Sequence, residues 1–189
     1  MHHLSEVVEA LAHQAADKCW VRIMQTSEER QAFCDITWSG LQSAVINFSS
    51  FIKNKTADVN GRSTLAYLAT SDVRCAAAII AAIRTGTRLL ILSSRNSVDV
   101  NQGLLDTTTC SHLLYGSGYE QQASKLSGLL PGLQCHKLKA YQDYFETVGC
   151  GEQDNSSHEF RSGETALILH SSGTTGRPKP IEITYGALA

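Results

Sequence analysis

From residue 64 onward the chain alternates short apolar runs with longer amphipathic ones, and that alternation restricts it to very few folds. Residues 65–69 read as a strand. Residues 72–85 read as a helix capped by Ser71 or Asp72 and stopped at Gly86, and residues 88–92 as the next strand. Residues 98–106 are a predicted helix, 112–115 a strand, and 119–130 a helix stopped by Pro131-Gly132. Repeated strand-helix-strand units pack as a mainly parallel sheet flanked by helices, with ligands at the carboxyl ends of the strands. The expected class is therefore α/β and doubly wound. No internal repeat of fixed period is present, which argues against a solenoid.

The first third follows a different grammar. Leu4, Val7, Val8, Leu11, Ala12 and Ala15 fall on one face at helical spacing, which predicts an amphipathic helix ending near Asp17. Residues 19–24 and 32–37 are β-prone on either side of Ser27-Glu28-Glu29-Arg30, the pattern of a hairpin. Ser39 is the expected cap of a second helix, with Leu41, Ala44, Val45, Phe48 and Ile52 as its apolar stripe and Lys53 to Lys55 suiting its C-terminal dipole. Residues 149–163, rich in Gly, Ser and charge, read as an exposed internal linker leading to an apolar strand over 165–169.

Composition narrows the function classes. With 42% hydrophobic and 18% charged residues the chain is globular in character. Its formal charge of −2, from 16 basic and 18 acidic side chains, leaves no electrostatic footprint for nucleic acid or an anionic membrane. Glu6 and Glu9 interrupt the first residues, so they do not read as a secretory signal, and the longest apolar run, 75–83, is too short to cross a bilayer. A soluble, cytoplasmic product is expected. Six cysteines without a Cys-x-x-Cys pair and seven histidines without zinc spacing predict no metal site. No Gly-x-Ser-x-Gly elbow is present, and Gly116-Ser117-Gly118 opens like a dinucleotide fingerprint but has Gln121 where the third glycine belongs. That segment reads as a loop.

The chemistry concentrates in His170-Ser171-Ser172-Gly173-Thr174-Thr175-Gly176-Arg177-Pro178-Lys179-Pro180. A polyphosphate carries several charges and many acceptor oxygens, so its site needs backbone NH groups, hydroxyl donors and a cation. Gly173 and Gly176 let the backbone approach without a Cβ, Ser171, Ser172, Thr174 and Thr175 supply hydroxyls, and Lys179 supplies charge. Pro178 fixes φ and stiffens the far side. A Walker loop requires Gly-x-x-x-x-Gly-Lys-Ser/Thr leading into a helix. Here the glycines are three apart, Arg177-Pro178 intervenes, and Ile181-Glu182-Ile183-Thr184 looks like a strand. Spacing and context both exclude the Walker reading. His170 reads as a structural residue at a strand end, with a hydrogen bond to a neighbour as the alternative.

The run Leu167-Ile168-Leu169-His170-Ser171-Ser172-Gly173-Thr174-Thr175-Gly176-Arg177-Pro178-Lys179 resembles the signature phosphate-binding motif of the adenylate-forming (AMP-dependent synthetase/ligase) superfamily. Ile36-Thr37-Trp38-Ser39-Gly40-Leu41 and the strands and helix between Leu65 and Leu92 are similar to the family's earlier elements. The form with Pro180, together with Ser93-Ser94-Arg95-Asn96-Ser97, is similar to adenylation domains of fungal nonribosomal-peptide-synthetase-like reductases. Tyr185-Gly186 stands where the family more usually has His-Gly.

The resemblance implies that residues 1–189 are a partial AMP-binding (adenylation) domain, an incomplete N-terminal subdomain portion of the adenylate-forming fold. It implies a parent enzyme that uses ATP with Mg²⁺ to convert a small-molecule carboxylic acid to an acyl-adenylate, then forms a thioester on the phosphopantetheine of a carrier domain. Ser171, Ser172, Gly173, Thr174, Thr175, Gly176 and Lys179 would hold the phosphates, with Gly173, Thr174 and Thr175 as principal contacts. No catalytic residue is assigned, because the family's catalytic lysine belongs to a later subdomain. The chain alone is expected to be inactive. Two other readings remain open: a short nucleotide- or phosphate-binding module, and a structural partner of a separately encoded remainder.

Overall fold

The computed structural model describes residues 4–26, 31–56, 64–145, 161–171 and 178–188. Helix α1 (Leu4–Gln14) precedes an antiparallel hairpin of β1 (Cys19–Thr26) and β2 (Gln31–Thr37), and α2 (Trp38–Thr56) follows directly. The second part runs β3 (Thr64–Leu68), α3 (Val73–Thr85), β4 (Arg88–Ile91), α4 (Val98–Thr107), β5 (Cys110–Tyr115) and α5 (Glu120–Leu129). It continues with β6 (Gln134–Lys137), α6 (Gln142–Phe145), β7 (Thr165–His170), β8 (Pro180–Thr184) and a single 3₁₀ turn, Tyr185–Ala187.

Strands β3 to β8 form one sheet in the order β6-β5-β3-β4-β7-β8, parallel except for β8, which returns antiparallel to β7. The handedness of the crossovers explains where the helices lie. From β3 to β4 the chain steps one way along the sheet, and from β4 to β5 it jumps back past β3. Right-handed connections in opposite directions place α3 and α4 on opposite faces. On one face Leu65, Tyr67, Leu89 and Leu114 pack against Phe48 and Ile52 of α2 and Ala77 and Ala81 of α3. On the other, Ala66, Leu68, Leu90, Leu113 and Ile168 meet Leu104 and Leu105 of α4 and Leu126 of α5. Every residue of β3 is buried, as a parallel strand covered on both faces requires.

Local punctuation explains most element ends. Asp72 is the cap of α3, its Oδ1 accepting from the Arg74 N–H at 2.9 Å. Gly86 closes the same helix at φ 70°, a left-handed conformation in which its N–H reaches the Ala82 and Ile83 carbonyls. The cap of α2 is Thr37 rather than Ser39, because Thr37 Oγ1 accepts from the Gly40 N–H at 3.1 Å. Ser39 lies inside the first turn, its hydroxyl 2.9 Å from that of Thr37. Strand β6 and helix α6 are additions to the sequence-based expectation. Gln134-Cys135-His136-Lys137 has no apolar alternation, and it pairs with β5 at the margin of the sheet, where half-exposed polar side chains are tolerated. Of the expected linker over 149–163, only residues 161–163 lie among the described residues, as a loop and turn.

Gly103 sits in the middle of α4 with open space where a Cβ would go. Gly103→Ala is expected to raise stability by about 0.5–1 kcal/mol through lower unfolded-state entropy, read as a higher urea midpoint at unchanged m-value.

At the β5–β6 margin, His112 Nδ1 and His136 Nε2 are 3.2 Å apart, and the His136 ring meets Phe51 of α2 edge-on at 5.1 Å. A hydrogen bond between two imidazoles needs one of them neutral. Burial, then the neighbouring His112 and Lys55, push the His136 imidazolium down from its ordinary value of 6.5. The unfolded chain thus takes up its proton first as pH falls through about 6.5, and stability declines from there until the folded-state value is passed. His136→Gln is expected to flatten this decline in urea melts between pH 7 and 5.

Candidate functional site

The expected phosphate loop joins two neighbouring strands at the carboxyl end of the parallel sheet. His170, the last residue of β7, pairs with Pro180, the first of β8, and the Ser171 N–H donates to the Lys179 carbonyl at 3.1 Å. The loop is therefore a hairpin connection closed at its neck. A Walker loop passes into a helix, so the strand β8 supports the exclusion made from spacing. Of the candidate residues, Ser171 is half-buried at the neck and Lys179 is exposed on its other side. Ser172, Gly173, Thr174, Thr175 and Gly176 lie outside the described residues.

His170 links this neck to the turn after β4. Its Nε2 accepts from the Ser93 N–H at 3.1 Å and lies 3.3 Å from the Asn96 amide nitrogen. Asn96 Nδ2 also donates to Oδ1 of the fully buried Asn101, at 2.9 Å, and the Asn96 carbonyl accepts from Gln122 Nε2 at 3.1 Å. The two readings of His170 thus merge: it is structural, and the hydrogen bond is how it acts. Sequence reasoning singled out residues 93–97 and His170 separately. No local signal joins positions 77 apart.

A cavity of about 580 Å³ opens beside the exit of the loop, between Pro178 and α4. Asp99 and Asp106 line it with Gln102 and Thr107, and two carboxylates make it unsuitable for polyphosphate. The donor set at the neck suits phosphate better: a hydroxyl at Ser171 and an ammonium at Lys179, with no carboxylate paired to that lysine among the described residues. The polyphosphate of ATP fits this chemistry.

Other candidate chemistry is accounted for by packing. At Gly116–Gly118 the turn enters α5, but the Gly118 N–H donates to Glu120 Oε2 at 2.8 Å, so the chain's own carboxylate occupies the helix start. The Lys137 ammonium, 2.7 Å from Glu120 Oε1, and the local backbone amides hold that carboxyl below its usual range. The five described cysteines are free thiols, and burial pushes Cys110 up to about 12, the behaviour of a small apolar side chain. Tyr185 is buried against Ile83 and Ala166, which raises its hydroxyl to about 12. Among the described residues no group of three or more His, Cys, Asp or Glu is placed to hold a metal, and no helix is long and apolar enough to cross a membrane.

A mainly parallel sheet with helices on both faces, completed by an antiparallel final strand, defines an α/β fold of the doubly wound kind. The chain belongs to the AMP-binding enzyme family, whose sequence profile matches residues 11–189. It is similar to the carboxylic acid reductase of Neurospora crassa, with 23% identity over 97% of this chain and 18% of the relative. Similarity to the adenylate-forming reductase Nps9 of Serpula lacrymans reaches 32% identity over 49% of this chain and 9% of that protein. Among solved structures, the McyG A-PCP protein complexed with phenylalanyl-adenylate superposes with a TM-score of 0.71 at 17% identity, over 97% of this chain and 28% of that one. This likeness establishes the shared fold, of which the chain matches the N-terminal portion. The chain thus spans less than a third of the length of each of these three proteins.

Proposed function

We propose that this chain supplies the phosphate-gripping part of an enzyme that activates a carboxylic acid with ATP and Mg²⁺. A carboxylate oxygen attacks the α-phosphorus, the bond to the β-phosphate breaks, and pyrophosphate leaves, giving an acyl-adenylate. The activated acyl group then passes to the phosphopantetheine thiol of a carrier domain, releasing AMP. The observation that carries this reading is the closed hairpin neck at Ser171 and Lys179 on the carboxyl end of the parallel sheet.

Residues 171 to 176 would offer hydroxyl and backbone donors to the β,γ-phosphates, and Lys179 would offset the charge that grows on the departing pyrophosphate. Gly173, Thr174 and Thr175 are the principal contacts in this reading. Orienting two reactants accounts for about 7–11 kcal/mol of a barrier, and one phosphate loop holds only one of them. The 189-residue polypeptide by itself is accordingly inactive.

The test grafts residues 164–189 into the carboxylic acid reductase of Neurospora crassa and follows carboxylate-dependent exchange between ATP and pyrophosphate. The graft is expected to keep exchange, and Thr174→Ala with Thr175→Ala to remove it. Full exchange in that double variant would overturn the role of the loop. Pyrophosphate release by the 189-residue chain alone would overturn its inactivity.

A further inference from the structure

One hydrogen-bonded arrangement beside the loop has no part in the chemistry of acyl-adenylate formation. The His170 ring stands between the root of the phosphate loop and the turn that follows β4. Its Nε2 has a single in-plane lone pair, and two donors converge on it: the Ser93 N–H at 3.1 Å and an Asn96 amide hydrogen, nitrogen to nitrogen 3.3 Å. Nε2 therefore carries no proton, and the ring is the Nδ1–H tautomer. That Nδ1 is buried, without a hydrogen-bond partner among the described residues.

The donors are themselves fixed. Asn96 is held at its amide by Asn101, at its carbonyl by Gln122, and at its backbone N–H by the Ser93 carbonyl at 3.2 Å. Asn101 belongs to α4, and Gln122 to α5. The next residue after His170 is Ser171, whose N–H closes the loop neck on Lys179. A chain of hydrogen bonds thus runs from the two helices behind the sheet, through Asn96 and His170, to the neck.

We propose that His170 is a positioning residue for phosphate binding: accepting at Nε2 from Ser93 and Asn96, it locks the neck of the loop in the geometry that grips pyrophosphate. The proposal rests on the phosphate reading of the loop. It separates His170 from the hydroxyl and backbone donors, because the imidazole reaches the phosphates only through the backbone it holds.

Two replacements of similar reach test it. His170→Gln brings an amide oxygen near the place of Nε2 and keeps an acceptor, whereas His170→Phe fills the volume and offers none. The 189-residue chain is followed by hydrogen exchange at the Ser171 amide and by titration with Mg²⁺-pyrophosphate. Nitrogen-15 spectra of the wild-type ring are expected to show the neutral Nδ1–H tautomer. His170→Phe is expected to speed exchange at Ser171 and weaken pyrophosphate binding about tenfold, the worth of about one net hydrogen bond. His170→Gln should restore most of both, at a similar global unfolding midpoint. A protonated Nε2, or a His170→Phe variant with wild-type exchange at Ser171, would overturn the positioning role. Absence of pyrophosphate binding by a wild-type chain whose Ser171 amide is protected would instead overturn the phosphate reading of the loop, and with it the grip assigned to the neck.

Discussion

Phe48→Ala is expected to remove about 3–5 kcal/mol of stability, a large share of the roughly 5–15 kcal/mol that holds a domain of this kind together. Phe48 is 1% exposed and lies on the face of α2 that covers the sheet. Its ring stacks on Tyr144 of α6, with centroids 4.3 Å apart and planes within 5°. Truncation removes the transfer energy of the ring and leaves a cavity. The surroundings cannot collapse into it, because β3 behind the cluster is hydrogen-bonded on both sides. It also strips Tyr144 of its stacking partner and so loosens α6, which is otherwise tied to α2 by the Asn47 amide donating to the Tyr144 carbonyl at 3.0 Å. Urea unfolding followed by circular dichroism should show a much lower midpoint at a similar m-value. A loss below about 1 kcal/mol would mean that α2 does not pack here as described.

Gly116→Ala has the second largest expected effect, and its cause is the opposite one. A Cβ at Gly116 would stand 2.7 Å from the Ala69 Cβ and 3.4 Å from its Cα. Neither methyl can rotate away, since each is fixed to its backbone. The ends of β3 and β5 would have to part, stretching the 3.0 Å bond from the Gly116 N–H to the Leu68 carbonyl. Forced overpacking of this kind costs about 1–3 kcal/mol. The reciprocal variant supplies the check: Ala69→Gly removes the obstructing methyl, so the double variant should recover much of the loss. Strict additivity of the two changes in urea melts would refute the contact.

Both sites illustrate what was legible beforehand. Phe48 was placed in the core by helical spacing alone, because a stripe of Leu41, Ala44, Val45, Phe48 and Ile52 has one face to bury. The length of α3 was readable from Asp72 and Gly86, whose side chain and conformational freedom act within the same helix. Gly116 was visible only as part of a failed fingerprint, since its partner Ala69 approaches through the sheet. Strand β6 was missed for a related reason. His136 and Lys137 have little β-forming preference of their own, and pairing with β5 gives them their conformation.

The candidate site divides in the same way. The phosphate reading of residues 171–179 was available from their hydroxyls, glycines and lysine, because donor type and backbone freedom are properties of the residues themselves. The family, too, was readable from that run, and the match over residues 11–189 agrees. What only the tertiary structure decided is how the loop is held. The strand order carries β7 beside β4, and β8 turns back antiparallel to close the neck. His170 thereby meets Ser93 and Asn96, although 77 and 74 positions separate them. Such contacts depend on crossover handedness and on two packed helix layers, and those are set by the burial of the whole sheet rather than by any short stretch of chain.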